Sequence, residues 1–162
     1  MLSLTNSDIQ SADTIGVLPE HEEQMSWLPV DYAAKSIVEI MNLATVQGEC
    51  PVYHIHQPTY VAWSAVLTAL EAAQLRFKRV SRQEWVKALR ASDSDVQRNP
   101  SYKLLAFFED KYGGDEVKTG IGVGVAVDKA MAVSQWMREM PVVDGVLVAK
   151  WIEAWKESGF LR

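Results

Sequence analysis

Residues 26–41 read SWLPVDYAAKSIVEIM, and the fold turns on how this stretch is placed. Asp31 stands where a carboxylate can accept from the unpaired N–H groups of a first helical turn. Ala34, Ile37, Val38 and Met41 follow at three- and four-residue intervals, so this face is expected in the core. The GECP run at 48–51 ends the helix. Upstream, the chain is polar and acidic, with a short helix expected from Asp8 to Ile15, closed by Gly16, and EHEEQ as a solvated run. These features predict residues 1–25 as an N-terminal extension and residues 26–162 as one domain.

Downstream, PVYHIHQP (51–58) reads as a short strand fenced by prolines, with Val52, His54 and His56 on one side and Tyr53, Ile55 and Gln57 on the other. Thr59 is expected to cap a helix reaching Gln74 that turns Trp63, Val66, Leu67 and Leu70 inward. LRFKRV (75–80) alternates as a second strand, and SRQE at 81–84 is a capping box opening a helix through Trp85 and Leu89. Asn99 and Pro100 begin another helix, with Leu104, Leu105, Phe107 and Phe108 as core and Gly113 as its end. Short helical turns are expected at Asp128 or Ser134. Asp144 opens the last helix, striped by Leu147, Val148, Trp151, Ile152 and Trp155 and closed by Gly159, after which Phe160 and Leu161 fold back. This order predicts an α/β or α+β lobe, helix-rich, with a small sheet of short strands.

A chain of 162 residues with 48% hydrophobic and 23% charged residues has a globular composition. Its net charge of −5 and scattered cations offer no basic field for a phosphate backbone, so nucleic acid is not expected as a partner. The single cysteine, Cys50, allows no internal disulfide. Neither a signal-peptide pattern nor a run of membrane-spanning length is present, and the expected compartment is the cytosol.

Several of these segments, taken in order, carry a resemblance: WLPVDYAAKSIVEI, VYHIHQP, FKRVSRQEWVKAL, NPSYKLLAFFEDKYG and VAKWIEAWKESGFL. From about Ile15 to Leu161 the chain resembles the C-terminal part of thioester reductase domains, in the extended short-chain dehydrogenase/reductase superfamily. Such domains terminate many nonribosomal peptide synthetases, polyketide synthase hybrids and carboxylic acid reductases. The resemblance implies a smaller lobe that shapes a substrate pocket, while NADPH binds a separate N-terminal Rossmann domain.

Two superfamily signatures can be tested on this sequence. The glycine-dense TGIGVGVAVD stretch places Gly120, Gly122 and Gly124, but a GxGxxG fingerprint from Gly120 would need glycine where Val125 stands. A catalytic tyrosine should be followed four residues later by lysine, yet Tyr32, Tyr53, Tyr60, Tyr102 and Tyr112 are followed by Ser36, Gln57, Ser64, Ala106 and Glu116. No complete Rossmann fold, bound cofactor or NADPH reduction is therefore expected of this sequence.

His56 and Tyr60 are the expected catalytic residues, His56 as a general acid, a base or a hydrogen-bond donor to a substrate carbonyl and Tyr60 as a donor to it. His54, Gln57, Trp27 and Trp63 are the expected substrate-binding residues around them. Each also has a plainer reading: a satisfied structural histidine, a packed tryptophan. His56 and Gln57 stand where the resembled family often has valine and asparagine. His54 and His56 form half of a metal site, with His21 or a nearby glutamate as third ligand, but the ligand spacing is poor and no metal is expected. Ser64 lacks the surroundings of a hydrolase nucleophile.

The function expected is a cofactor-independent cyclase or isomerase, in its most specific form a pericyclase, acting on a small apolar biosynthetic intermediate. Its alternatives are a non-catalytic substrate-binding or accessory lobe of a thioester reductase, and a dehydratase or isomerase working through His56. A homodimer is expected, burying the face that a Rossmann half would cover, and no membrane partner is expected.

Overall fold

The computed structural model describes residues 6–47, 51–112 and 124–161, with side chains from residue 9 onward and, in the first stretch, up to residue 43. The expectations that fall on Cys50, Gly113, Gly120 and Gly122 lie outside the described residues. The chain forms two compact units: Met1–Glu23, Ala62–Gly120 and Asp144–Arg162 make the first, and Gln24–Val61 with Ile121–Val143 the second. This division differs from the single domain expected over 26–162.

In the first unit, α1 (Asn6–Ile15) ends at Gly16, whose φ of +70° lets the chain turn directly into β1 (Val17–Pro19). β1 pairs in parallel with β4 (Lys78–Val80), in the register Val17 to Lys78, Leu18 to Arg79 and Pro19 to Val80. Ile9, Ala12 and Leu18 are buried. Residues expected to form an extension thus supply core, because apolar side chains spaced through the polar stretch meet on one side of α1 and β1.

α3 (Trp63–Ala72) buries Trp63, Val66, Leu67 and Leu70, the four expected residues, and packs on α8. Thr59 is not its cap: the extended pair β3 (Val61–Ala62) intervenes, and Ala62 begins the helix without a side-chain bond. At α4 (Arg82–Ala91) the capping box forms as the sequence predicts, Ser81 Oγ accepting from Glu84 N and the Glu84 carboxylate accepting from Ser81 N. Trp85 then packs edge-on against Phe108 at 4.7 Å and donates from its indole to Ser11 Oγ at 3.3 Å. Pro100–Leu104 is a 3₁₀ turn, followed by α5 (Leu105–Tyr112). The tighter turn advances about 120° per residue instead of about 100°. As a result Phe108 and Tyr112 are buried, while Leu104 and Phe107, expected as core, are exposed. Asp144 caps α8 (Gly145–Glu157) by accepting from Leu147 N. Beyond Gly159, at φ +73°, Phe160 and Leu161 fold back, both N–H groups donating to the Trp155 carbonyl.

In the second unit, β2 (Gln24–Met25) precedes α2 (Val30–Gln47), and α6 (Asp128–Val133) and α7 (Gln135–Arg138) pack against α2. Asp31 lies inside the first turn and pairs with Lys35 at 3.9 Å instead of capping. The face of α2 is the reverse of the one expected. Ser36 and Ile40 are buried, whereas Ala34, Ile37, Val38 and Met41 are exposed. Specific bonds select the buried side. Glu39 accepts from Ser134 Oγ at 2.7 Å and from Trp136 N, Tyr32 meets Trp136 edge-on at 5.8 Å, and the Lys35 ammonium sits 4.3 Å from the Trp136 ring centre. The bond from Ser134 also holds the Glu39 carboxyl below its ordinary pKa.

His21 belongs to the first unit, not to the solvated run expected there. Its ring stacks on Trp63 at 5.5 Å and 8°, and its Nδ1 accepts from Glu23 N at 3.2 Å. Burial, reinforced by Arg82 and Lys111, lowers its pKa from the ordinary 6.5 to about 3. Glu23 Oε2 lies 3.9 Å from a neutral imidazole and makes no ion pair with it at neutral pH. Folding favours the neutral ring, so this contribution is complete above pH 6.5 and is lost as pH falls toward about 3. Across that window each pH unit costs the wild type up to ~1.4 kcal/mol through this one group. Urea unfolding between pH 7 and pH 4 should therefore show a shallower loss for His21→Gln than for wild type; parallel profiles would contradict the assignment.

Candidate functional site

The segment 51–58 is extended but joins no sheet: its prolines remove N–H donors at both ends, and no ladder forms. Its sidedness nonetheless follows the alternation in the sequence. Tyr53 and Ile55 pack against the second unit's core, Gln57 is 2% exposed, and Val52 and His54 face outward.

Gln57 fixes the geometry. Its amide nitrogen donates to Pro141 O at 2.9 Å and to Trp27 O at 3.4 Å, and its amide oxygen accepts from Thr59 N at 3.4 Å. Because both carbonyls only accept, the amide orientation is settled by the network. The Gln57 amide is thus engaged by the chain's own backbone, and Trp27 takes part through its backbone carbonyl.

His56, next to this clasp, is half-buried, with Nδ1 3.0 Å from Gln57 O. A carbonyl cannot donate, so Nδ1 is the donor in this contact. The Tyr60 ring stands 5.9 Å away, tilted by 41°, and Tyr60 is partly exposed. His54 repeats the pattern with Nδ1 3.1 Å from Ala126 O, at an exposed position. The structure thus gathers His56, Gln57 and Tyr60, with His54 on the same segment.

Trp63 is the exception. It is fully buried in the first unit, donating its indole N–H to Pro19 O at 2.7 Å and lying against His21, so it is core and not a pocket wall. His21 likewise packs in the first unit's interior. Among the described residues no three His, Cys, Asp or Glu side chains converge as metal ligands. No helix among them is long and apolar enough to cross a membrane.

The surroundings of His56 can be compared with known proteins through the whole chain. No protein-family model matches. "Non-reducing polyketide synthase sor2" of Hypocrea jecorina is 35% identical over 156 residues, and the "3-methylorcinaldehyde synthase" of Sarocladium schorii 30% over 159. Both matches cover 94% of this chain but 6% of the relative, so the chain spans a small part of these synthases. The terminal R domain of the myxalamid PKS-NRPS pathway superposes with a TM-score of 0.72 at 19% identity, over 97% of this chain and 38% of that one. The chain is similar over nearly its whole length to a part of these synthases and shares its fold with that terminal R domain. The resemblance read from WLPVDYAAKSIVEI and the later segments is thereby established, as is a helix-rich lobe with small two-stranded sheets.

Replacing Gln57 by leucine keeps the bulk but leaves buried carbonyls without a donor, and each lost bond of this kind costs about 1–3 kcal/mol. Gln57→Leu should lower unfolding stability by at least ~1 kcal/mol in urea titrations, and a change below ~0.5 kcal/mol would remove the clasp from its structural role.

Proposed function

We propose that this chain is a polyketide-handling substrate lobe of thioester-reductase descent, presenting His56 and Tyr60 to the carbonyl end of an aromatic acyl or aldehyde intermediate. The observation that carries the reading is the 3.0 Å contact of His56 Nδ1 with Gln57 O, which leaves Nε2 for a ligand beside the Tyr60 phenol. Its support from relatives is chemical: they are named as polyketide synthases, and one is named for an aromatic aldehyde.

The Tyr60 hydroxyl donates to a bound carbonyl oxygen, and His56 Nε2 accepts from a hydroxyl or an acidic C–H next to that carbonyl. The two contacts orient one end of an otherwise apolar ligand. Tryptophan fluorescence titrated with 3-methylorcinaldehyde should show saturable binding, weakened about tenfold by His56→Ala and by Tyr60→Phe, as expected for one lost hydrogen bond. Absence of saturation, or variants that bind like wild type, would move the site elsewhere. Calorimetry with NADPH is expected to show no binding, and a micromolar dissociation constant would overturn the assignment of nucleotide binding to another region.

A second reading, cofactor-independent isomerisation or cyclisation, is favoured by the same free Nε2. In it His56 removes a proton from the carbon beside the carbonyl, Tyr60 steadies the enolate oxygen, and the imidazolium returns the proton at a different carbon or after ring closure. The step balances without a redox partner. A pericyclic form would need only shape and the Tyr60 donor. Deuterium exchange at the α-carbon of an acetoacetyl thioester should be accelerated by wild type and slowed about 10²-fold by His56→Ala. Exchange at the buffer rate with wild type would exclude this chemistry and leave the binding role.

A further inference from the structure

Helix α2 exposes an apolar face: Val30 is 82% exposed, Ile37 46%, Val38 60% and Met41 64%, with Ala34 also open. Scattered apolar residues are ordinary on a surface, but a contiguous patch of roughly 500 Å² lies at the upper end of what soluble monomers show. Val30, Ala34, Ile37 and Met41 are separated by four, three and four residues, the alternation of a coiled-coil seam. Such a face is convex and suits another helix rather than a small ligand. It suits a lipid surface poorly, since Lys35 is the one basic residue between Val30 and Gln47 and is paired with Asp31.

We infer that this face of α2 is a self-association surface, its occupant α2 of a second copy of the chain running antiparallel. The four-three-four spacing is the same read in either direction, so the seam maps onto itself under a two-fold axis. Val30 then meets Met41 of the second copy, and Ala34 makes the hollow that Ile37 of the second copy fills. The Asp31–Lys35 pair neutralises its own charges at 3.9 Å, so the two seams meet without like-charge repulsion. Two such faces bury about 1,000 Å² together, the lower limit for a specific interface, which sets the dimer in the weak, micromolar range.

Sedimentation velocity of the full chain from about 1 to about 200 µM should show a shift from 18.1 kDa toward about 36 kDa. Val38→Glu should raise the dimer dissociation constant at least tenfold while circular dichroism stays unchanged, whereas Val142→Glu, exposed in the same unit but off the seam, should leave it unaltered. A mass fixed at 18.1 kDa across the range, or a dimer indifferent to Val38→Glu, overturns the proposal. Orientation has its own readout: in a Cys50→Ser background, Ala34→Cys and Ile37→Cys chains should cross-link when mixed and oxidised, and either alone should not. Cross-linking of each variant with itself contradicts the antiparallel arrangement, as does a mixture that stays uncoupled.

Discussion

The amide of Gln57 is the constraint on which the candidate site depends. Three bonds, to the distant Pro141 and Trp27 and the nearby Thr59, hold a segment that no sheet supports. Buried peptide carbonyls require donors, and here a side chain supplies what a neighbouring strand would otherwise supply. Once Gln57 is fixed, its own carbonyl is fixed too, and that carbonyl sets the proton on His56. The geometry around His56 thus follows from one buried amide.

Helix α2 shows why a periodic pattern is an incomplete guide. Ala34, Ile37, Val38 and Met41 have the spacing of a core face, and the opposite face has a mixed composition. Yet Glu39 at the start of α7, Tyr32 against Trp136 and Lys35 over the same ring turn that mixed face inward. Specific polar and aromatic contacts outweighed a diffuse apolar preference within this unit. The apolar stripe is left as an outer surface, which is a different physical object from a core.

Local signals were legible where a short sequence fixes its own geometry. Ser81 with Glu84, Asp144 ahead of α8, Gly16 and Gly159 at left-handed positions, and the inward stripe from Trp63 to Leu70 all stand where the residues indicate. Features that depend on distant partners were not. Nothing in EHEEQ reveals that His21 will lie flat on Trp63. The Pro51–Pro58 segment carried the right alternation, but whether it would find a strand partner is decided by residues far away. At Leu104 and Phe107 a 3₁₀ turn after Pro100 changed the phase of a helix that counts correctly in any other register.

The proposed site lies in the segment following Pro51, where the His56 and Tyr60 rings stand 5.9 Å apart. The direct test is a ¹H–¹⁵N correlation spectrum of the labelled chain titrated with 3-methylorcinaldehyde. The account predicts saturating shifts concentrated at the backbone amides of His54 to Val61 and at the His56 ring nitrogens, with Nδ1 protonated throughout. Shifts confined to the first unit, around Trp85 and Phe108, or a His56 ring protonated on Nε2 alone, would contradict it.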